Sequence, residues 1–155
     1  MVGTCMEGLP LPGHSMDVCL EGDAYGIGRN LAECTRIQKG RYGEELTAKF
    51  IQERGLTVIE RNWRCCFGEV DIIAEDNDTV VLVEVKTRVI GHSSLIMPEM
   101  AVGPRKRDRY QKLALVYLSR SYPRRAVRFD VAAVGIVDPG CSWLHYLTAA
   151  YEWDD

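Results

Sequence analysis

Acidic side chains set inside otherwise apolar, strand-like segments constrain this chain more than any other feature. The segments Gly68-Glu69-Val70-Asp71-Ile72-Ile73-Ala74 and Leu82-Val83-Glu84-Val85-Lys86 flank a turn signal at Asn77-Asp78. Residues 80–85 form a near-continuous hydrophobic run of the kind seen in strands covered on both faces, and Glu84 and Lys86 interrupt it. A carboxylate taken out of water is costly unless a cation or hydrogen bonds compensate. These residues therefore have to be explained together.

A hairpin closed at Asn77-Asp78 pairs Glu75 with Val80, and the register continued outward sets Asp71 opposite Glu84. Strand alternation then projects Glu69, Asp71, Leu82, Glu84 and Lys86 from one face, with opposed Cβ atoms about 5 Å apart. Two carboxylates that close repel. A hard divalent cation, which takes oxygen ligands from one or two carboxylates, is the simplest compensation; a solvated charged face is the alternative.

Helical phase supplies a third acid. Residues 41–54 lie between Gly40 and Gly55 and carry Leu46, Phe50 and Ile51 at helical spacing. On that wheel Glu44 falls on the inward side, between Ala48 and Ile51, whereas Glu45 falls with Lys49 and Gln52 on the polar side. Glu44 is the candidate, against the plainer reading of a first-turn acid complementing the helix dipole. A second helix is marked by Tyr110, Leu113, Ala114, Tyr117 and Leu118 at i, i+3, i+4, i+7 and i+8. Lys106 precedes Tyr110 by one turn in the same phase, so its amine reaches inward. Arg105, Arg107, Arg109 and Lys112 spread positive charge around the helix start, either for phosphate or as a solvated face.

Five ordered motifs carry a family resemblance: Gly40-x-x-Gly43-Glu44, Arg61-Asn62-Trp63-Arg64, Gly68-Glu69-Val70-Asp71, Glu84-Val85-Lys86 and Arg128-Phe129-Asp130-Val131. Over residues 40–151 the chain resembles the YraN family of uncharacterised bacterial proteins. That family is similar to the restriction-endonuclease-like superfamily, whose site is an Asp followed on the next strand by Glu-x-Lys, often with a helical Glu before it, as in archaeal Holliday-junction resolvases. The resemblance implies an α/β fold with a mixed central sheet flanked by helices. It also implies that Glu44, Asp71 and Glu84, with the Val85 carbonyl, hold Mg2+ or Mn2+, and that Lys86 orients the attacking water and offsets phosphate charge. Lys106 matches a lysine in the family pattern, and related resolvases suggest a homodimer.

Other residues take supporting parts. Arg61 and Arg64, flanking Trp63, combine guanidinium groups with an aromatic ring beside the first site strand, a mixture suited to backbone contact and base stacking; Trp63 as core is the alternative. Glu69 reads as a partner of Lys86, and Arg128 with Asp130 as a structural ion pair at the sheet edge. Strands are expected at about 57–62, 67–75, 79–88, 127–137 and 143–147, with residues 89–104 as a loop walling the site. Residues 1–39 lack period and read as a flexible extension before a domain at 40–155.

At 155 residues the chain supports one core of moderate size. Six cysteines without metal spacing, no secretory pattern and no long apolar run point to a cytoplasmic protein, with no membrane partner. A net charge of −3 argues against a broad polyanion-coating surface and leaves room for a local positive groove. The functional expectation is a metal-dependent nuclease acting on DNA, with branched or damaged structures the substrates that the resolvase similarity implies. The rivals are a nucleic-acid-binding module with a degenerate site and a protein-interaction adaptor.

Overall fold

The computed structural model describes residues 8–21, 33–91, 100–120, 125–138 and 140–151. In chain order the elements are β1 (Ser15–Glu21), α1 (Arg36–Glu53), β2 (Thr57–Cys65), β3 (Gly68–Asp76), β4 (Thr79–Val89), α2 (Pro104–Leu118), β5 (Ala126–Asp138) and β6 (Cys141–Leu147). The strands form one sheet in the order β1-β6-β5-β4-β3-β2. Only β4 and β5 run parallel, and α2 makes the crossover between them; the remaining pairs are antiparallel. The result is a mixed α/β architecture compatible with a restriction-endonuclease-like fold.

Strand alternation sorts the apolar side chains into two layers. On one face Ile72, Ala74, Val81, Val83, Val134 and Ile136 pack with Tyr42, Leu46, Phe50 and Ile51 of α1. On the other Ile73, Val80, Leu82, Phe129 and Val131 pack with Tyr110, Leu113 and Ala114 of α2. Each Val, Leu, Ile or Phe among them, fully buried, contributes about 1.5–3 kcal/mol. β4 is thus covered on both faces, as its near-continuous apolar run requires.

Local chemistry fixes the ends of α1. Thr35 accepts from the Gln38 backbone N–H while the Gln38 side chain accepts from the Thr35 N–H, a capping box that starts the helix at Arg36 rather than at 41. At the other end Gly55 takes φ +93°, its N–H bonds Gln52 O, and Leu56 N–H bonds Ile51 O, the paired contacts of a Schellman stop. The expected turn is also present: Glu75 pairs with Val80, Asp76 pairs with Thr79, and Asn77 adopts φ +53° in a two-residue loop.

Three expectations are corrected. The division at residue 39 does not hold, because β1 pairs with β6 along Ser15–Glu21 and the first residues of α1 also precede it. The sheet has six strands rather than five, since the alternation of β1 is short and weak. Arg128 and Asp130 lie on β5, which is inside the sheet, not at its edge. The described cysteines, Cys19, Cys34, Cys65, Cys66 and Cys141, are unbridged. Residues 92–99, half of the loop expected to wall the site, lie outside the described residues.

Candidate active site

The β3–β4 ladder ends at Ile72–Val83, one pair short of the expected Asp71–Glu84 apposition. Beside this point, on β2, Asn62 adopts φ +52° between the pairs Arg61–Ile72 and Trp63–Val70, and the face that β3 presents changes across Asp71. Trp63 and Val70 pack in the α2 layer, although Ile72 and Ala74 pack in the α1 layer. Glu69, Asp71, Leu82, Glu84 and Lys86 are therefore not one continuous row. Asp71 instead fills the fork where the strands part, and its Oδ2 accepts the Val85 N–H at 2.8 Å in place of a ladder bond. Because the N–H and C=O of one strand residue point to the same side, the Val85 carbonyl opens toward that fork as well.

Glu84 and Lys86 project on the α2 side. Glu84 is 7% exposed and forms an ion pair with Lys106, one turn into α2. Lys86 Nζ donates to the Ala101 carbonyl at 3.3 Å, which ties β4 to the segment leading into α2. Burial and the nearby Arg109 lower the Lys106 pKa, while Asp71 opposes them. Burial raises the Asp71 pKa most; the Val85 hydrogen bond opposes it, Glu69 adds to it, and Lys106 and Arg109 pull it down.

Glu44 comes from α1. The Glu44 side chain is 15% exposed and that of Glu45 47%, as the helical phase predicts. Glu44 stands near the fork because Gly43 packs against Thr87 of β4: a Cβ at Gly43 would overlap the Thr87 hydroxyl and lie 2.9 Å from its Cβ. Burial first, then repulsion from Asp71, raises the Glu44 pKa, while the Asn62 side chain and Arg61 lower it. Its Oε2 is buried without a hydrogen bond, with an Arg61 nitrogen 3.8 Å away. Among the described residues, no three acidic, histidine or cysteine side chains converge as a formed metal-ligand set. What converges is a chain of charges, Glu44 against Asp71, Asp71 beside Lys106, and Lys106 on Glu84.

The candidate contact residues separate. Arg61 lies between Glu44 and Glu45, balancing α1. Trp63 is 8% exposed and meets Tyr117 edge-on at 5.3 Å between ring centroids, so it is core. The Arg64 side chain is 74% exposed and bonds Glu69 at 2.6 Å, so Arg64 is a partner of Glu69. An exposed aromatic does occur nearby, at Phe67 in the β2–β3 turn, a residue that lacked periodic context in the sequence.

Arg128 holds Asp130 in a two-point pair, both bonds 2.9 Å, and reaches Asp76 at 2.7 Å. Tyr146 OH at 2.6 Å and the Ala149 N–H at 2.9 Å also donate to Asp130. Asp130 is fully engaged, and the group joins β5 to the hairpin and to β6 as structure.

Comparison with known proteins gives a consistent picture. Residues 43–134 match the family described as "Uncharacterised protein family UPF0102". A UPF0102 protein of Syntrophus aciditrophicus is 43% identical over 106 residues, covering 68% of this chain and 82% of that one. One from Streptomyces griseus is 48% identical over 102 residues, covering 64% and 82%. One from Geobacter sulfurreducens is 40% identical over 115 residues, covering 73% and 88%. The matched span contains Glu44, Asp71, Glu84, Lys86 and Lys106, and with more than half of its length inside that span the chain belongs to the uncharacterised protein family UPF0102, the YraN family.

Proposed function

We propose that this protein is a metal-dependent phosphodiesterase of the restriction-endonuclease-like superfamily, acting on nucleic acid, with DNA the expected substrate. The observation that carries the reading is the fork beyond Ile72–Val83, where Asp71 and the Val85 backbone meet beside Glu84 and Lys86 on one strand and Glu44 on α1. The donors fit a hard divalent cation in kind and in charge demand. All are oxygens, Asp71 and Glu44 repel each other, and a buried oxygen of Glu44 has no donor. Glu44, Asp71, Glu84 and the Val85 carbonyl would hold Mg2+ or Mn2+, which when bound supplies Lewis-acid stabilisation and a more acidic water. Lys86 sets an ammonium beside the fork, where it orients that water by hydrogen bonding and offsets charge developing on the phosphate. Arg64, exposed at the rim, suits contact with the neighbouring phosphate backbone.

A second reading, nucleic-acid binding without turnover, is favoured by one observation: Lys106 already neutralises Glu84. The two readings separate in one assay. Linear and branched DNAs are incubated with Mg2+ or Mn2+ and wild-type, Glu84→Gln or Lys86→Met protein. Turnover predicts cleavage by wild type and a loss of at least ~100-fold in both variants, with thermal stability and DNA affinity retained. Equal cleavage by wild type and Glu84→Gln overturns the catalytic reading, as does wild-type binding without cleavage in either metal.

A further inference from the structure

The turn between β2 and β3 presents an apolar ring to solvent at the edge of the candidate site. Cys65 pairs with Gly68, which leaves Cys66 and Phe67 as the two-residue tip. Turn positions of this kind ordinarily carry small or polar residues, yet Phe67 stands 43% exposed. The tip is held in place: Phe67 N–H reaches Cys65 Sγ at 3.4 Å, and Gly68, at φ +131°, lies under the Arg109 side chain, close enough that a Cβ would meet its Cδ at 3.5 Å. Lys112 Nζ lies 6.0 Å from the centre of the Phe67 ring, and Arg64 projects from the same hairpin. An exposed ring with Lys112 beside it, Arg109 against the turn and Arg64 on the same hairpin combines the two features of a single-strand binding surface, a stacking face and charges that track the backbone.

Position along β3 connects this tip to the fork. Phe67 and Asp71 are separated by about 13 Å at 3.3 Å per strand residue, roughly four steps of a stacked strand at 3.4 Å each. Resting on the nucleic-acid reading above, we propose that Phe67 is a stacking platform for an unpaired base, so that the preferred substrate is a strand with unpaired bases a few nucleotides from the reactive phosphate, not a continuous duplex. Stacking on an aromatic is tolerant of base identity, so the selectivity is for an opened strand and not for a sequence. Arg64, Arg109 and Lys112 then hold the phosphates on either side of the stacked base, which makes binding fall with salt.

The test is equilibrium binding by fluorescence anisotropy, without divalent metal, of a labelled forked DNA and of the same sequence fully paired. Wild type, Phe67→Ala and Phe67→Tyr proteins are compared at low salt. The platform predicts that Phe67→Ala weakens forked-DNA binding on the order of ten-fold, that paired DNA is unaffected, and that Phe67→Tyr behaves as wild type. Equal loss on both DNAs, no loss on either, or no binding by wild type overturns it. Cleavage is then measured with Mg2+ on the same DNAs. Phe67-dependent fork binding without cleavage keeps the platform and defeats the nuclease reading, whereas cleavage of both DNAs with no effect of Phe67→Ala does the reverse.

Discussion

Asp71 is where the cost of the site is concentrated. Burial and Glu69 raise its carboxyl above the ordinary aspartate range, even with the Val85 N–H, Lys106 and Arg109 acting in the opposite direction. In the pH window between the unfolded and the raised folded values, the native state holds more protons than the unfolded chain, so stability falls as pH rises through that window. Asp71→Asn keeps an acceptor for Val85 and removes the charge. The variant is expected to match wild type at acid pH and to exceed it at pH 7 by on the order of 1 kcal/mol, a few degrees in Tm. Thermal melts across that range check this, and a lower Tm for the variant at pH 7 would contradict it. Added Mn2+ should raise the wild-type Tm and leave that of Asp71→Asn unchanged. Much of this was legible beforehand: helical phase separates Glu44 from Glu45, and the phase of Tyr110 brings Lys106 inward. Trp63, which reads from the sequence as a stacking residue with core as the alternative, is core: its β3 partner Val70 packs in the α2 layer while Ile72 packs in the α1 layer, and residue type alone does not show that change of face.

At the scale of elements, the meeting of α1 with β4 decides whether Glu44 reaches the fork at all. Gly43 has no room for a side chain against Thr87, and the obstruction includes the Thr87 Cβ, which rotation about χ1 cannot remove. Gly43→Ala must therefore push the helix from the strand, at an expected cost of about 1–3 kcal/mol, despite alanine's better helix propensity. Thr87→Ala in the same chain should recover part of that loss, because it removes the hydroxyl in closest approach. Denaturant unfolding of the two single variants and the double variant measures the coupling, and simple additivity would show that the contact does not limit the packing. The sequence made the cores of α1 and α2, the Asn77-Asp78 hairpin and β5 readable, since each combines a period with an end signal. The start of α1 was also written, in Thr35 and Gln38, but the apparent break at Gly40 hid it. Helices tolerate such a glycine when a cap on one side and buried residues on the other hold the turns together.

Across the whole molecule the sheet is asymmetric in what it supports. The fork belongs to β3 and β4, and three strands, β5, β6 and β1, continue the sheet away from β4. β1 pairs only with β6, yet Met16, Val18 and Leu20 pack against the same core as Leu144 and Tyr146. It lies outside the span shared with the family, residues 43–134, and β6 lies beyond the other end of that span. Removing residues 1–33 should therefore leave the charge chain from Glu44 to Glu84 intact while baring a row of backbone donors and acceptors on β6 and one side of the core. Losing four half-buried apolar side chains, Leu9, Met16, Val18 and Leu20, predicts a loss of about 2–4 kcal/mol, and the bared edge predicts self-association that grows with concentration. Calorimetry and sedimentation of the truncated chain test both effects, and the DNA assay on the same sample tests the separation of roles. If truncation abolishes Mg2+-dependent cleavage in protein that remains folded and monomeric, then β1 acts on the fork across the two intervening strands, β6 and β5, and the sheet cannot be divided into a site half and a supporting half.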